Sequence, residues 1–294
     1  MNRGAHAFKS VDISDTDNST LSFLYNTVPG RALLKIIVRP PVSKLSGSIL
    51  KSPASRVLIK GFIRRNSIDM EEYRSARFNS FNDFFIREIK EGSRPFPDKE
   101  NDVAAPCDGK LTVYPVTPDS VFCIKRSKYS LCDLLQDREL ADEFSDGVCL
   151  IFRLTPDDYH RYSCIDDGEV LQRKRIDGIL HTVRPVAYQR YSVFCQNSRE
   201  YTVMRTANFG KIIQVEVGAL FAGRITNHNH SGAIKRGDEK GMFQFGGSTV
   251  IMLFQKDRVS IDETIIENTL QNKETIVRMG NKIGEKPIRE ERLP

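Results

Sequence analysis

The chain has 294 residues, 39% of them hydrophobic and 28% charged, with a net charge of +6. That length suits one or two domains with a substantial core, and the composition excludes a wholly disordered chain or a bundle of membrane spans. No apolar run approaches the roughly 18 residues needed to cross a bilayer, and the polar start, with Asp12, Asp15 and Asp17, does not read as a secretory signal.

Residues 1–20 read as an irregular start. From Leu21 to about Lys90 the pattern is mostly helical, broken at Pro40-Pro41 and by Ser-rich stretches near 46–55. Between Arg31 and Ile68 every charge is basic, namely Arg31, Lys35, Arg39, Lys44, Lys51, Arg56, Lys60, Arg64 and Arg65, interleaved with aliphatic residues. A basic amphipathic region of this kind suits an anionic lipid surface. Nucleic acid is disfavoured because no aromatic stacking platform accompanies the charge, while a packed helical subdomain with solvated cations is the plainer alternative. The run Ser80–Lys90 reads as a short amphipathic helix with Ser80 or Asn82 as its N-cap, ended by Gly92, Pro95 and Pro97.

The texture changes near Asn101. Short β-prone runs recur at Lys110–Val116, Val148–Leu154, Gly168–Arg175, Arg190–Gln196, Glu200–Asn208, Lys211–Val217, Gly241–Phe245 and Thr249–Phe254, with one helix at Leu131–Phe144 and a frayed tail after Gly284. The expected class is therefore α+β: a helical, basic, membrane-contacting region over 1–95, then a mainly antiparallel, sandwich-like or barrel-like catalytic region over 96–294. Cys107, Cys123, Cys132, Cys149, Cys164 and Cys195 show no C-x-x-C spacing, so they read as thiols in a reducing compartment rather than a disulfide framework or a zinc site. His228 and His230 form a His-x-His pair with no carboxylate or thiol at ligand spacing, and no metal is expected there.

Three segments carry chemistry. Two apolar runs meet at Gly246-Gly247-Ser248-Thr249. Glycine leaves the Gly247 carbonyl sterically open, and the Ser248 hydroxyl that follows it can attack that carbonyl once a base activates it. A plain hairpin turn is the commoner meaning of Gly-Gly alone. Asp108 stands in the turn Pro106-Cys107-Asp108-Gly109, which alone would be an Asx-type turn, and His160 stands in Asp158-Tyr159-His160-Arg161-Tyr162. Asp, His and Ser are the parts needed to activate a hydroxyl, although spacing does not show that they meet.

Taken with Phe78–Glu88, Arg94-Pro95, Val217-Gly218-Ala219 and Gly237-Asp238-Glu239-Lys240-Gly241, these segments resemble the phosphatidylserine decarboxylases, in order from residue 78 to 254. The resemblance implies a proenzyme in which Ser248 attacks the Gly247 carbonyl, with His160 as general base and Asp108 orienting it. β-Elimination and hydrolysis would leave a pyruvoyl group at the former Ser248 and release ammonia. That carbonyl would form a Schiff base with phosphatidylserine, lose carbon dioxide and yield phosphatidylethanolamine. Strands on both sides of the cut lead to the expectation that fragments 1–247 and 248–294 stay associated; the basic segment and the polar start place the protein on the cytoplasmic face of an anionic membrane, with a homo-oligomer left open. One position departs from the pattern. Many relatives carry a second histidine three residues after the first, and here that residue is Ser163, which leaves His181 as an alternative base. Two rivals remain at this point, a pyruvoyl decarboxylase acting on a soluble amino acid and a non-catalytic lipid-binding relative.

Overall fold

The structure, a computed structural model, describes residues 8–13, 19–75, 77–124, 127–188, 191–220, 224–228, 232–245 and 248–287. Gly246, Gly247 and His230 lie outside these residues. Strand β1 (Ser10–Asp12) precedes helices α1 (Ser19–Asn26), α2 (Val28–Ile37), α3 (Pro40–Lys51), α4 (Val57–Arg65) and α5 (Phe81–Phe85). Next come β2 (Asp102–Ala104), β3 (Gly109–Pro115), β4 (Val121–Ile124), β5 (Ser127–Ser130), α6 (Leu131–Leu135), α7 (Arg138–Asp142), β6 (Val148–Leu154), β7 (Arg161–Ser163) and β8 (Gly168–Ile176). After α8 (Pro185–Tyr188) and α9 (Val193–Gln196) follow β9 (Arg199–Thr206), β10 (Gly210–Gly218), β11 (Ile225–Asn227), β12 (Ala233–Ile234) and β13 (Glu239–Phe243). The chain continues through β14 (Ser248–Phe254), β15 (Ser260–Ile261), α10 (Glu263–Leu270), β16 (Lys273–Val277) and β17 (Lys282–Glu285).

Nine strands among the described residues form one antiparallel sheet in the order β1-β16-β3-β6-β14-β10-β9-β8-β12. Its end strands do not pair with each other, so the α+β expectation holds but the sheet stays open rather than closing into a barrel. Smaller sheets, β11-β13-β7 and β15-β17-β2, lie alongside. Strand β14 is buried along its whole length, as a central strand covered on both faces must be. Its side chains alternate between two cores. Ile251 and Leu253 pack with Tyr25, Leu34, Phe122 and Phe144 on a face dressed by helices, whereas Val250 and Met252 pack with Phe152, Tyr162, Phe243 and Ile265 on the other.

The N-terminal helices form for local reasons. Thr27 caps α2 by accepting the Gly30 amide at 3.0 Å, and Pro40 and Pro41 occupy the first turn of α3, where a missing N–H costs little. A Cβ at Gly30 would sit 2.1 Å from the Phe23 carbonyl, so only glycine lets α1 and α2 approach this closely. Several large apolar side chains of these helices face outward, among them Ile36 (59% exposed), Leu45 (65%) and Val57 (82%).

Several expectations need correction. Ser10–Asp12, read as part of an irregular start, pairs with Lys273–Thr275 as an edge strand. The single helix expected over Leu131–Phe144 is two short ones, separated where Gln136 takes a left-handed conformation (φ 50°). The segment Val193–Gln196, expected as strand, is a helical turn whose Phe194 enters the core, while Arg190 lies outside the described residues. The helix expected over Ser80–Lys90 stops at Phe85, with Ser80 as its cap. Residues 282–285, next to the expected frayed tail, form β17.

Candidate active site

Ser248 is the first residue of β14, opposite Leu154 of β6 and Gly218 of β10. It is fully buried, and its Oγ has no hydrogen-bond partner among the described residues. A buried hydroxyl without a partner is costly, and a reactive role is one reason such a group is retained.

Leu154, which pairs with Ser248 on β6, lines a cavity of about 620 Å³ together with Leu220, two residues past the end of β10, and Phe245, three residues before β14. Its remaining wall comes largely from α1 and α2, with Phe23, Leu33 and Ile37, so the helical region roofs the space beside the serine. Polar groups at its rim include Thr155, Thr182 and Arg184.

His160 is buried just ahead of β7. Its ring lies 4.1 Å from that of Phe85, which lies 5.1 Å from that of Phe245, three residues before Ser248. The Phe243 amide donates to the His160 carbonyl at 2.9 Å, tying the histidine to the strand that leads into the serine. Nδ1 of His160 is 2.9 Å from the Asp158 carbonyl oxygen. A carbonyl only accepts, so Nδ1 carries the proton and the lone pair of the neutral ring sits on Nε2. The Asp158 carboxylate is anchored by Lys110 Nζ, at 3.1 and 3.0 Å to its two oxygens. Burial pushes its pKa up from the ordinary value, against the opposing charge of Lys110.

Asp108 is also buried, but its hydrogen bonds go elsewhere. Arg94 grips both carboxylate oxygens, Nε to Oδ1 at 3.0 Å and Nη2 to Oδ2 at 2.9 Å, and the Met279 amide donates to Oδ1 at 2.8 Å. Burial alone would depress the Arg94 pKa, but Asp108 and Glu72 outweigh it and raise it. Asp108 was expected to orient His160; among the described residues its carboxylate accepts from a guanidinium and an amide, and Nδ1 of the imidazole lies against a backbone carbonyl. Asp108 reaches the histidine's strand indirectly. The carbonyl of neighbouring Pro106 accepts the Ser163 amide at 2.8 Å, and Ser163 Oγ lies 3.1 Å from Met279 Sδ. Ser163, the position of the second histidine in many relatives, thus lies against the Asp108 clamp.

His181 belongs to a different environment. The Tyr25 hydroxyl of α1 lies 3.1 Å from its Nδ1, and the Tyr191 ring stacks on it at 4.1 Å. Burial pushes its pKa down to about 4. With a folded pKa below the unfolded value of about 6.5, the neutral ring adds stability that is complete above pH ~6.5 and lost as pH falls toward 4, at most about 3 kcal/mol. Urea unfolding at pH 7 and pH 4 checks this: the wild type should lose up to that much more stability than His181→Gln, and equal losses would show that the imidazole does not titrate this way.

Among the described residues, no group of three or more His, Cys, Asp or Glu is arranged to hold a metal. His228 Nε2 contacts Glu239 at 2.7 Å. Sequence reasoning did not single out the backbone carbonyl that orients His160, nor a buried pair of Lys240 with Glu216 (Nζ–Oε1 2.7 Å). The first leaves no trace in residue identity, and the second was visible only as an unexplained lysine in Gly-Asp-Glu-Lys-Gly.

The family profile described as phosphatidylserine decarboxylase matches residues 81–285. A phosphatidylserine decarboxylase proenzyme 2 of Clostridium acetobutylicum is 47% identical over 91% of this chain and 92% of its own. Phosphatidylserine decarboxylase proenzymes of Ruminiclostridium cellulolyticum and Clostridium perfringens are 42% and 40% identical, covering 94% and 90% of this chain and 94% and 92% of theirs. With its family-typical segments gathered around one buried serine and an apolar cavity, the chain belongs to the phosphatidylserine decarboxylase family.

Proposed function

We propose that the chain is a self-cleaving proenzyme that decarboxylates phosphatidylserine to phosphatidylethanolamine, in keeping with the names of its relatives, and that it works at the surface of an anionic membrane. The observation that carries this reading is Ser248 Oγ, buried directly after Gly247 without a hydrogen-bond partner among the described residues, and opposite Leu154, which lines the cavity. Ser248 Oγ attacks the Gly247 carbonyl carbon, the C–N bond breaks, and the freed nitrogen takes a proton. His160 Nε2 receives the hydroxyl proton and can return it to that nitrogen. Asp108 acts as a positioning residue: through Arg94 and Met279 it holds the 106–108 turn against the strand that carries His160.

The pyruvoyl group left at position 248 supplies a carbonyl that takes the substrate's amine and draws electrons from the bond to its carboxyl group. The residues present fit that role, because a small hydroxyl there is buried and unsatisfied while its neighbours open onto a cavity. The fragments 1–247 and 248–294 stay together, since β14 remains hydrogen-bonded between β6 and β10 after the cut.

Docking follows from α2 to α4. Their outward apolar side chains stand among the exposed Lys35, Arg39, Lys51, Arg56, Lys60 and Arg64 in a stretch without acids. Among the described residues no helix is long and apolar enough to cross a membrane, so contact is at the surface and next to the helices that roof the cavity. The region over 1–95 is then the membrane-facing part and 96–294 the catalytic part. Vesicle flotation tests this: vesicles containing phosphatidylglycerol, an anionic lipid that is not the substrate, should bind the protein far better than phosphatidylcholine alone, and salt should weaken the binding. Equal binding to both would remove the electrostatic part. Decarboxylation should require phosphatidylserine in such vesicles, and faster turnover of free serine would favour a soluble-substrate enzyme instead.

A further inference from the structure

On the face of the sheet that carries Ser248 lies a buried polar knot. Lys240 Nζ of β13 meets Glu216 Oε1 of β10 at 2.7 Å, with side-chain exposures of 1% and 0%. Asn227 completes it. Its Oδ1 accepts from Lys240 at 3.2 Å and from the Tyr162 hydroxyl at 3.0 Å, and its Nδ2 donates to Glu216 Oε2 at 3.0 Å and to Glu200 Oε1 at 2.7 Å. Gly241 allows the close approach: a Cβ there would lie 2.4 Å from the Thr226 carbonyl and 2.8 Å from both Asn227 Oδ1 and the Tyr162 hydroxyl.

The knot's position in the topology gives it meaning. Strand β10 aligns Gly218 with Ser248 and Glu216 with Val250. Side chains two apart share a face, so Glu216 is the diagonal neighbour of Ser248, with such pairs about 7–8 Å apart. Strand β13 ends at Phe243, five positions before Ser248, in a different sheet. The pair therefore ties together the strand that delivers the 244–247 segment and the strand against which Ser248 is registered. A buried ion pair is a poor stabiliser compared with apolar residues of similar volume, and its best-attested use is to fix register.

We propose that Lys240 and Glu216 are positioning residues for self-cleavage: their buried ion pair fixes β13 against β10, the strand on which Ser248 is registered, and so the setting in which Ser248 Oγ makes its attack. The proposal rests on the self-cleavage reading above. A misplacement of about 1 Å is enough to cost about a hundredfold in rate.

The test follows the time course of chain splitting after synthesis in vitro, with unfolding temperatures measured separately in a Ser248→Ala background so that every chain is whole. Lys240→Met should slow splitting by about 10- to 100-fold and lower the unfolding temperature by stranding Glu216. The apolar double variant Lys240→Met/Glu216→Leu should regain the unfolding temperature yet still split slowly. The exchanged pair Glu216→Lys/Lys240→Glu should recover splitting to within about tenfold of wild type. Wild-type splitting in the apolar double variant would overturn the proposal, since the pair would then serve the fold alone. If that variant does not fold, the exchanged pair decides: splitting as slow as in Lys240→Met also overturns it. A wild-type chain that never splits in the same experiment would instead overturn self-cleavage itself.

Discussion

Ser248→Ala should leave the chain whole and without decarboxylase activity. The substitution removes one oxygen, and that oxygen is both the nucleophile of the cut and the precursor of the reactive carbonyl, so no partial activity is expected. Stability should move the other way. Ser248 Oγ is buried without a hydrogen-bond partner among the described residues, and relieving an unsatisfied buried hydroxyl is worth about 1–3 kcal/mol, so the variant should be at least as stable as the uncut wild-type chain. Gel electrophoresis and urea unfolding check the two halves of this prediction. An alanine variant that still splits after Gly247 would refute serine attack, and one that fails to fold would show that the hydroxyl has a structural partner.

His160→Gln should slow splitting by about 10²- to 10⁴-fold, the usual range for losing a positioned general base. Glutamine fills similar space and places a non-basic amide near the position of Nε2, so slow splitting reports the loss of the proton acceptor. His181→Gln is the matched control. Its ring faces Tyr25 and Tyr191, and burial already holds it neutral, so splitting should stay within about threefold of wild type, less than 1 kcal/mol of barrier. Quantifying cut and uncut chain over time distinguishes them. Slow splitting in His181→Gln with normal splitting in His160→Gln would reverse the assignment.

What could be read in advance depended on how much each residue's own chemistry decides. Val148–Leu154 and Thr249–Phe254 were legible as strands because an apolar run this short and β-branched has few other uses, and both are central in the sheet. Val193–Gln196 was misread because Val-Phe-Cys-Gln is equally at home in a strand, and packing of Phe194 into the helical face decides otherwise. Ser10–Asp12 and Lys282–Glu285 are too short and polar to announce themselves, and pairing with distant strands makes them β.

The same division runs through the site. Ser248 and His160 could be singled out because a hydroxyl after Gly-Gly and an imidazole are side chains able to carry the proposed chemistry. Asp108 was singled out too, but nothing in the sequence says that Arg94 and the Met279 amide hydrogen-bond its oxygens while the Asp158 backbone carbonyl lies against the histidine. Ser163 illustrates the same limit: its departure from the relatives' histidine was visible, but its place beside the Asp108 clamp was not.

The intact mass of the purified wild-type protein tests self-cleavage most directly. Self-cleavage predicts two species, residues 1–247 and residues 248–294, the smaller beginning with a pyruvoyl group and therefore closed to N-terminal sequencing. A single species with the mass of the whole chain, in a folded and lipid-binding preparation, would contradict it.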